Sequence, residues 1–179
     1  MPVAEGRQLL AGLRPASGTV ELHPDYPMSE TLDALAMLTD AYEVMGRKRP
    51  DDPRWWIHQI VVAETVVGDI GFHGPPGPDP PLTVEIGYAV VPPWRGRGVA
   101  TRACRLILAR AWADGADRVV AETDPANLAS QRVLGAAGFR AGIDGAYVIN
   151  RTPDPGKIAG RLPSIGEPAR NLPAIFEET

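Results

Sequence analysis

A single mixed α/β domain is the fold class predicted for this chain of 179 residues, and three observations carry the prediction. Short segments rich in β-branched residues, such as Val84-Glu85-Ile86-Gly87-Tyr88-Ala89-Val90-Val91, read as strands. Between them lie segments with apolar residues at helical spacing, such as Leu32, Leu35, Ala36, Leu38, Tyr42 and Met45. The length suits one domain better than two, and 44% hydrophobic residues are enough to fill a core.

The elements follow in order. Residues 8–22 carry scattered apolar side chains and supply a first strand. Residues 29–45 form an amphipathic helix, with Ser29 expected as its N-cap and Gly46 as its stop. Residues 55–63 and 65–72 read as two strands joined by a tight turn near Glu64. Trp55 and Trp56 are expected on opposite sides of the first of these, one in the core and the other free to line a cleft. Residues 74–81, Gly-Pro-Pro-Gly-Pro-Asp-Pro-Pro, form a loop, because proline lacks a backbone donor and fixes φ. A strand over 83–91, a helix over 98–113, a strand over 118–123 and a helix over 127–137 ended by Gly138 come next. Residues 139–143 and 146–151 make a last short hairpin. Residues 1–151 thus read as one domain. Residues 152–179, with five prolines, three glycines and no periodicity, read as a tail. Its apolar residues, among them Ile158, Leu162 and Phe176, fit a strap over the domain or an arm onto a second subunit, which makes a homodimer possible.

The junction of strand 83–91 with helix 98–113 is Arg95-Gly96-Arg97-Gly98-Val99-Ala100-Thr101. Glycines let a backbone approach an oxyanion, the first turn of a helix has unpaired N–H groups, and the arginines and helix dipole add positive potential. Such a loop is suited to a phosphate or pyrophosphate. The dinucleotide fingerprint is absent, since Thr101 stands where a third glycine is required, and no lysine is placed for a Walker A loop.

The segment resembles the pyrophosphate loop of the GNAT family of acyl-CoA N-acyltransferases, Q/R-x-x-G-x-G/A, with Arg95, Gly98 and Ala100 at its defined positions. Downstream, Asn127-Leu128-Ala129-Ser130 followed by Gly138-Phe139 is similar to the family's second signature. The resemblance spans residues 55–140. It implies a twisted, mostly antiparallel sheet of six or seven strands flanked by helices and splayed at the central strand. It also implies acetyl-CoA as co-substrate and a small-molecule or peptide amine as acceptor. Val90 and Val91 would offer the free backbone groups that hold the pantetheine arm, with the Val90 N–H as oxyanion donor. Gly96, Arg97, Val99 and Thr101 would join the three defined positions around the pyrophosphate, with Asn127 and Ser130 touching the pantetheine end.

Acyl transfer to an amine needs a positioned thioester, a stabilised oxyanion and an unprotonated nucleophile. Two glutamates are candidates for the base. Glu85 lies where histone-type members of the family place theirs, and Glu122 where ribosomal N-terminal acetyltransferases do. A glutamate in an apolar strand is costly unless it is paired or faces a cleft; a salt bridge or outward orientation would equally explain either residue. Glu85 is preferred. The tyrosine acid common in the family would fall at position 134, which is leucine here, so Ser130 is the substitute and Tyr147 a weaker one. A helix serine bonding its own backbone would explain Ser130 without chemistry. His58 reads as a packed or solvated strand residue, whereas His73 sits beside the proline loop, near where an acceptor would enter. The missing tyrosine keeps open a silent acyl-CoA-binding module, and the loop alone keeps open another phosphorylated ligand.

A formal charge of −4 gives no general attraction for nucleic acid. No apolar run reaches the roughly 20 residues of a membrane helix. No His/Cys/Asp cluster has metal-ligand spacing. The single cysteine, Cys104, excludes an internal disulfide and, with an N-terminus unlike a secretory signal, points to the cytoplasm. The loops at 24–54 and 74–82 set the acceptor, and composition does not encode it.

Overall fold

Seven strands form one mixed sheet in the computed structural model, which describes residues 20–44 and 53–152. The strands are β1 (Glu21–Leu22), β2 (Ile57–Val62), β3 (Thr65–Phe72), β4 (Thr83–Val90), β5 (Arg118–Glu122), β6 (Arg140–Ala141) and β7 (Ala146–Asn150). The helices among these residues are α1 (Ser29–Val44), α2 (Val99–Ala113) and α3 (Leu128–Ala137). β3 pairs antiparallel with β2 and β4, and β7 pairs antiparallel with β5 and β6. The β1–β3 and β4–β5 pairs are parallel, so the sheet is mostly antiparallel, as expected.

Local chemistry sets most boundaries. The β2–β3 turn consists of Ala63 and Glu64, both at positive φ (47° and 60°), the geometry that matches strand twist in a two-residue hairpin. Gly98, at φ 77°, starts α2, and Gly138, at φ 104°, ends α3. Asn127 caps α3 by accepting from the Ser130 N–H at 3.0 Å.

The main core lies between the sheet and the α2–α3 layer. Val84, Ile86 and Val90 of β4 meet Cys104, Ile107 and Ala111 of α2 and Leu134 of α3 there. Burying each such side chain contributes about 1.5–3 kcal/mol. A smaller cluster holds α1 to the sheet through Leu35, Leu38, Trp56 and Ile57.

Three details differ from expectation. Leu32 donates to the Met28 carbonyl (3.2 Å), so Met28 flanks α1 and Ser29 is already helical; its hydroxyl donates to Glu30 Oε2 at 3.0 Å. Trp55 closes a 3-10 turn (Pro53–Trp55) ahead of β2 instead of starting the strand. Both tryptophans are buried: Trp55 stacks edge-on against Phe72 (centroids 5.0 Å apart), while Trp56 joins the α1 cluster, so neither lines a cleft. Of the first strand only Glu21–Leu22 falls within the described residues; Gly46 and the 153–179 part of the tail, with its subunit arm, lie outside them.

Candidate active site

β4 is the axis of the site because its neighbour β5 leaves it early. Their pairing runs Thr83↔Arg118, Val84↔Val119 and Glu85↔Val120 and then ends, whereas β4 stays on β3 up to Val90↔Gly68. Glu85 accepts from the His73 N–H (2.9 Å), and Val91 donates to the Val67 carbonyl (2.9 Å). Odd-numbered residues of β4 therefore point their backbone groups at β3. By strand alternation the amides of Tyr88 and Val90 face the gap that β5 leaves.

A cavity of about 580 Å³ opens from that gap between α2 and α3. Tyr88 to Val90 form its floor, and Trp94, Arg95, Gly96 and residues 98–101 form one wall. Asn127, Ser130, Arg132 and Val133 of the α3 segment form the other. The first intrahelical bond of α2 runs from Arg102 N–H to the Gly98 carbonyl, which leaves the amides of Val99, Ala100 and Thr101 without helical partners. Gly96 and Gly98 adopt φ of 71° and 77°, and nothing stands within 4 Å of where a Cβ would be. Unpaired amides, open glycines and two arginines suit a pyrophosphate. Arg95 also braces the splay, its Nε donating to the Val90 carbonyl at 2.7 Å. The Tyr88 phenol lies 2.7 Å from Ser130 Oγ, and burial pushes its pKa up to about 12, so it stays protonated.

On the α1 side of β4 a second cavity, about 160 Å³, is lined by Ala34, Asp69, His73 and Gly87. Glu30, Tyr88 and Ala89 line both cavities, so the two meet at the Tyr88–Ala89 step. His73 Nδ1 donates to Glu85 Oε1 at 2.9 Å, and Nε2 reaches over Gly87. A Cβ at Gly87 would stand 2.8 Å from that nitrogen, so glycine is what lets the ring lie there. The hydrogen bond from His73 holds Glu85 below the usual carboxylate range. Asp69, 4% exposed, accepts from the Thr31 hydroxyl at 2.5 Å. Burial pushes its carboxyl well above the ordinary 3.8, to about 7, against the lowering by Thr31. Glu30, at the start of α1, is held below its ordinary value by hydrogen bonds from its own backbone and from Ser29.

Residues 17–140, more than half of the chain, match the acetyltransferase (GNAT) domain. The chain belongs to the GNAT acetyltransferase family. The GNAT family uses acetyl-CoA as its acyl donor. Among solved structures it resembles yncA of Salmonella typhimurium, determined with acetyl-CoA, at 19% identity and a TM-score of 0.51 over 87% of this chain and 95% of that one. The GNAT domain of S. lividans PAT is similar at 17% identity and a TM-score of 0.51, over 84% and 88%. An acetyltransferase (GNAT family) from Bacillus anthracis is 26% identical over 51% of this chain, with a TM-score of 0.44; the match spans 63% of that relative. The likenesses to yncA and PAT, at 19% and 17% identity, speak for the fold alone. Comparison with curated protein sequences finds no match.

Within this GNAT framework the structure brings most of the expected residues together and separates others. Val90, Arg95, Gly96, Gly98, Val99, Ala100, Thr101, Asn127 and Ser130 line the cavity between α2 and α3. Val91 does not: its N–H is engaged by Val67 and its carbonyl by Trp94, so Tyr88 joins Val90 as the pair with outward amides. Arg97 is also outside the lining, its guanidinium 5.1 Å over the Trp94 ring. Glu122 is exposed, pairs with Ala146 and lines neither cavity. Glu85 reaches the cavity on the α1 side of β4 through His73. Leu134, at the expected tyrosine position, is fully buried core, and Tyr147 packs against the same core. Cys104 is buried with its pKa raised to about 12, so it is no nucleophile. Helical spacing (129, 132, 133, 136) could have identified Arg132 as facing the cavity; it marks the α3 face turned to the donor. Asp69, Thr31 and Glu30 had no motif to mark them.

Proposed function

We propose that this protein transfers an acetyl group from acetyl-CoA to a primary amine by direct attack, with Glu85 acting in the general base. The observation that carries this reading is the meeting of the two cavities at Tyr88–Ala89, beside the outward Val90 amide. A thioester laid in the β4–β5 gap would bring its carbonyl oxygen to that amide, which stabilises the oxyanion as the amine nitrogen attacks. With Nδ1–H given to Glu85, a neutral His73 presents the Nε2 lone pair to the acceptor cavity. The amine's proton passes to Nε2 through solvent in that cavity, and the Glu85 carboxylate stabilises the imidazolium. Attack forms the C–N bond and the oxyanion, whose collapse breaks the C–S bond; the departing thiolate takes a proton from Ser130, the Tyr88 phenol resupplies it, and solvent returns a proton to Tyr88. Tyr88 thus supplies, from β4, the hydroxyl that Leu134 lacks, which favours an active enzyme over a silent acyl-CoA-binding module. Buried Cys104, and the lack of any described helix long and apolar enough to cross a membrane, support a cytoplasmic location.

The test is CoA release from acetyl-CoA with a panel of primary amines, run on wild type and Glu85→Gln. General-base loss should lower kcat by about 10²–10⁴-fold while acetyl-CoA affinity stays within about twofold. Unchanged turnover in Glu85→Gln would remove Glu85 from the base. Tight acetyl-CoA binding with no turnover on any amine would leave the silent module as the better reading.

A further inference from the structure

We propose that the acceptor is a small cationic amine with no carboxylate beside its nitrogen, and that Asp69 binds its ammonium group in the cavity beneath α1. The inference rests on the acetyl-transfer reading for what happens to that amine, but its physical basis is separate. Asp69 sits in the middle of β3, and a carboxyl taken that far out of water costs several kcal/mol unless it is compensated. Thr31, itself fully buried, supplies one hydrogen bond to Oδ2. Among the described residues no lysine, arginine or histidine forms an ion pair with Asp69, and its carboxyl has no hydrogen-bond partner besides Thr31. The carboxyl nonetheless lines the cavity, so a cation bound there would supply a compensation that no described side chain supplies.

The rest of the cavity selects in the same direction. Glu30 adds a second carboxylate where the two cavities join. Among the described residues of the lining His73 is the one basic side chain, and Glu85 already holds it. A carboxylate on the acceptor, as in a free amino acid, would meet two acids and no counter-ion. The volume, about 160 Å³, is that of about five waters in the liquid, which admits an ammonium on a short carbon chain. Register fixes where that ammonium lies: Asp69 is paired with Ala89, the residue shared with the donor cavity. An amine held by Asp69 therefore stands beside the thioester, and deprotonation by His73 would release it to attack.

The test compares glycinamide with glycine, which differ in the carboxylate, using the full chain saturated with CoA. Calorimetric binding and, with acetyl-CoA, acetyl transfer are measured in wild type, Asp69→Asn and Glu85→Gln. Asparagine keeps the shape and an acceptor for the Thr31 hydroxyl. Wild type should bind glycinamide at least tenfold more tightly than glycine. Asp69→Asn should weaken glycinamide at least tenfold and erase that preference, with CoA affinity unchanged, whereas Glu85→Gln should slow transfer and leave glycinamide affinity intact. Equal binding of the two probes by wild type, or unchanged glycinamide affinity in Asp69→Asn, overturns the proposal even if transfer proceeds. Asp69-dependent binding without acetyl transfer upholds it and overturns the transferase reading. If Asp69→Asn does not fold, the wild-type preference decides alone, and a preference under threefold overturns the proposal.

Discussion

On the α2–α3 side of β4 the cavity is built mainly from backbone: outward amides at Tyr88 and Val90, free amides at the start of α2, and glycines at positive φ. On the α1 side it is built from side chains gathered from distant parts of the chain, Glu30 and Thr31 from α1, Asp69 and His73 around β3, and Glu85 from β4. Backbone recognition depends on conformation and so leaves a local trace in sequence, because only certain residues permit the conformation. Side-chain recognition depends on which strands happen to be neighbours. The donor side should therefore be sensitive to changes of conformation and the acceptor side to changes of functional group. Each substitution below asks whether the two sides can be impaired separately.

After Glu85→Gln, the largest effect is expected at Gly98. Valine there would force a β-branched residue to φ 77° and fill the open space facing the donor. With strain of about 1–3 kcal/mol added to lost amide contacts, acetyl-CoA affinity should fall about 100-fold by calorimetry. Gly87→Ala comes next. Its methyl would displace the His73 ring, which lies 2.8 Å from the new Cβ, and so break the Glu85–His73 alignment. We expect kcat to fall by about 10- to 100-fold with acetyl-CoA affinity intact. A matching loss of acetyl-CoA affinity would show that the two sides are not separable. Smaller again is the proton supply to the thiolate. Ser130→Ala and Tyr88→Phe should each lower kcat by about tenfold, and the double variant should lose little more, because both act through one 2.7 Å hydrogen bond. Full additivity would assign the two hydroxyls separate roles.

The same contrast explains what could be read before folding. Strand 65–72 and the α2 and α3 helices stand where spacing, glycines and the Asn127 cap put them, and Arg95, Gly96 and residues 98–101 come together in one cavity wall. Val91 stands outside the cavity lining, because pattern alone does not say which amides a neighbouring strand uses and here the bond to Val67 decides it. Arg97 was misassigned because Trp94 offered its guanidinium a ring face. Trp55 left its strand because Pro53 opens a 3-10 turn. Glu85 and His73 were each identified, but their pairing depends on the register of β3 against β4, which no local pattern contains. Asp69 was invisible for the same reason: an aspartate in a Val-Val-Gly-Asp-Ile-Gly strand gives no sign of the Thr31 hydroxyl arriving from α1.

Asp69 also gives the comparison a test in stability, smaller in size but opposite in sign to the losses above. Its folded pKa is raised by burial, with Glu30 adding repulsion and Thr31 opposing it, from 3.8 to about 7. Between those values the folded chain holds a proton that the unfolded chain has released. Stability therefore falls as pH rises from about 4 to about 7, and the full cost persists above that range, at about 1.4 kcal/mol for each tenfold difference in proton affinity between the folded and unfolded chain. Asparagine carries no such cost. Thermal melting of Asp69→Asn should match wild type near pH 4 and exceed it at pH 8 by on the order of 10 °C, given about 2–4 °C per kcal/mol for a chain of this size. A residue kept for ligand rather than for stability predicts that gain, because the charge that recognises a cation is the charge that the empty fold pays to bury. A structural Asp69 predicts the reverse, a variant that melts lower at pH 8 than wild type.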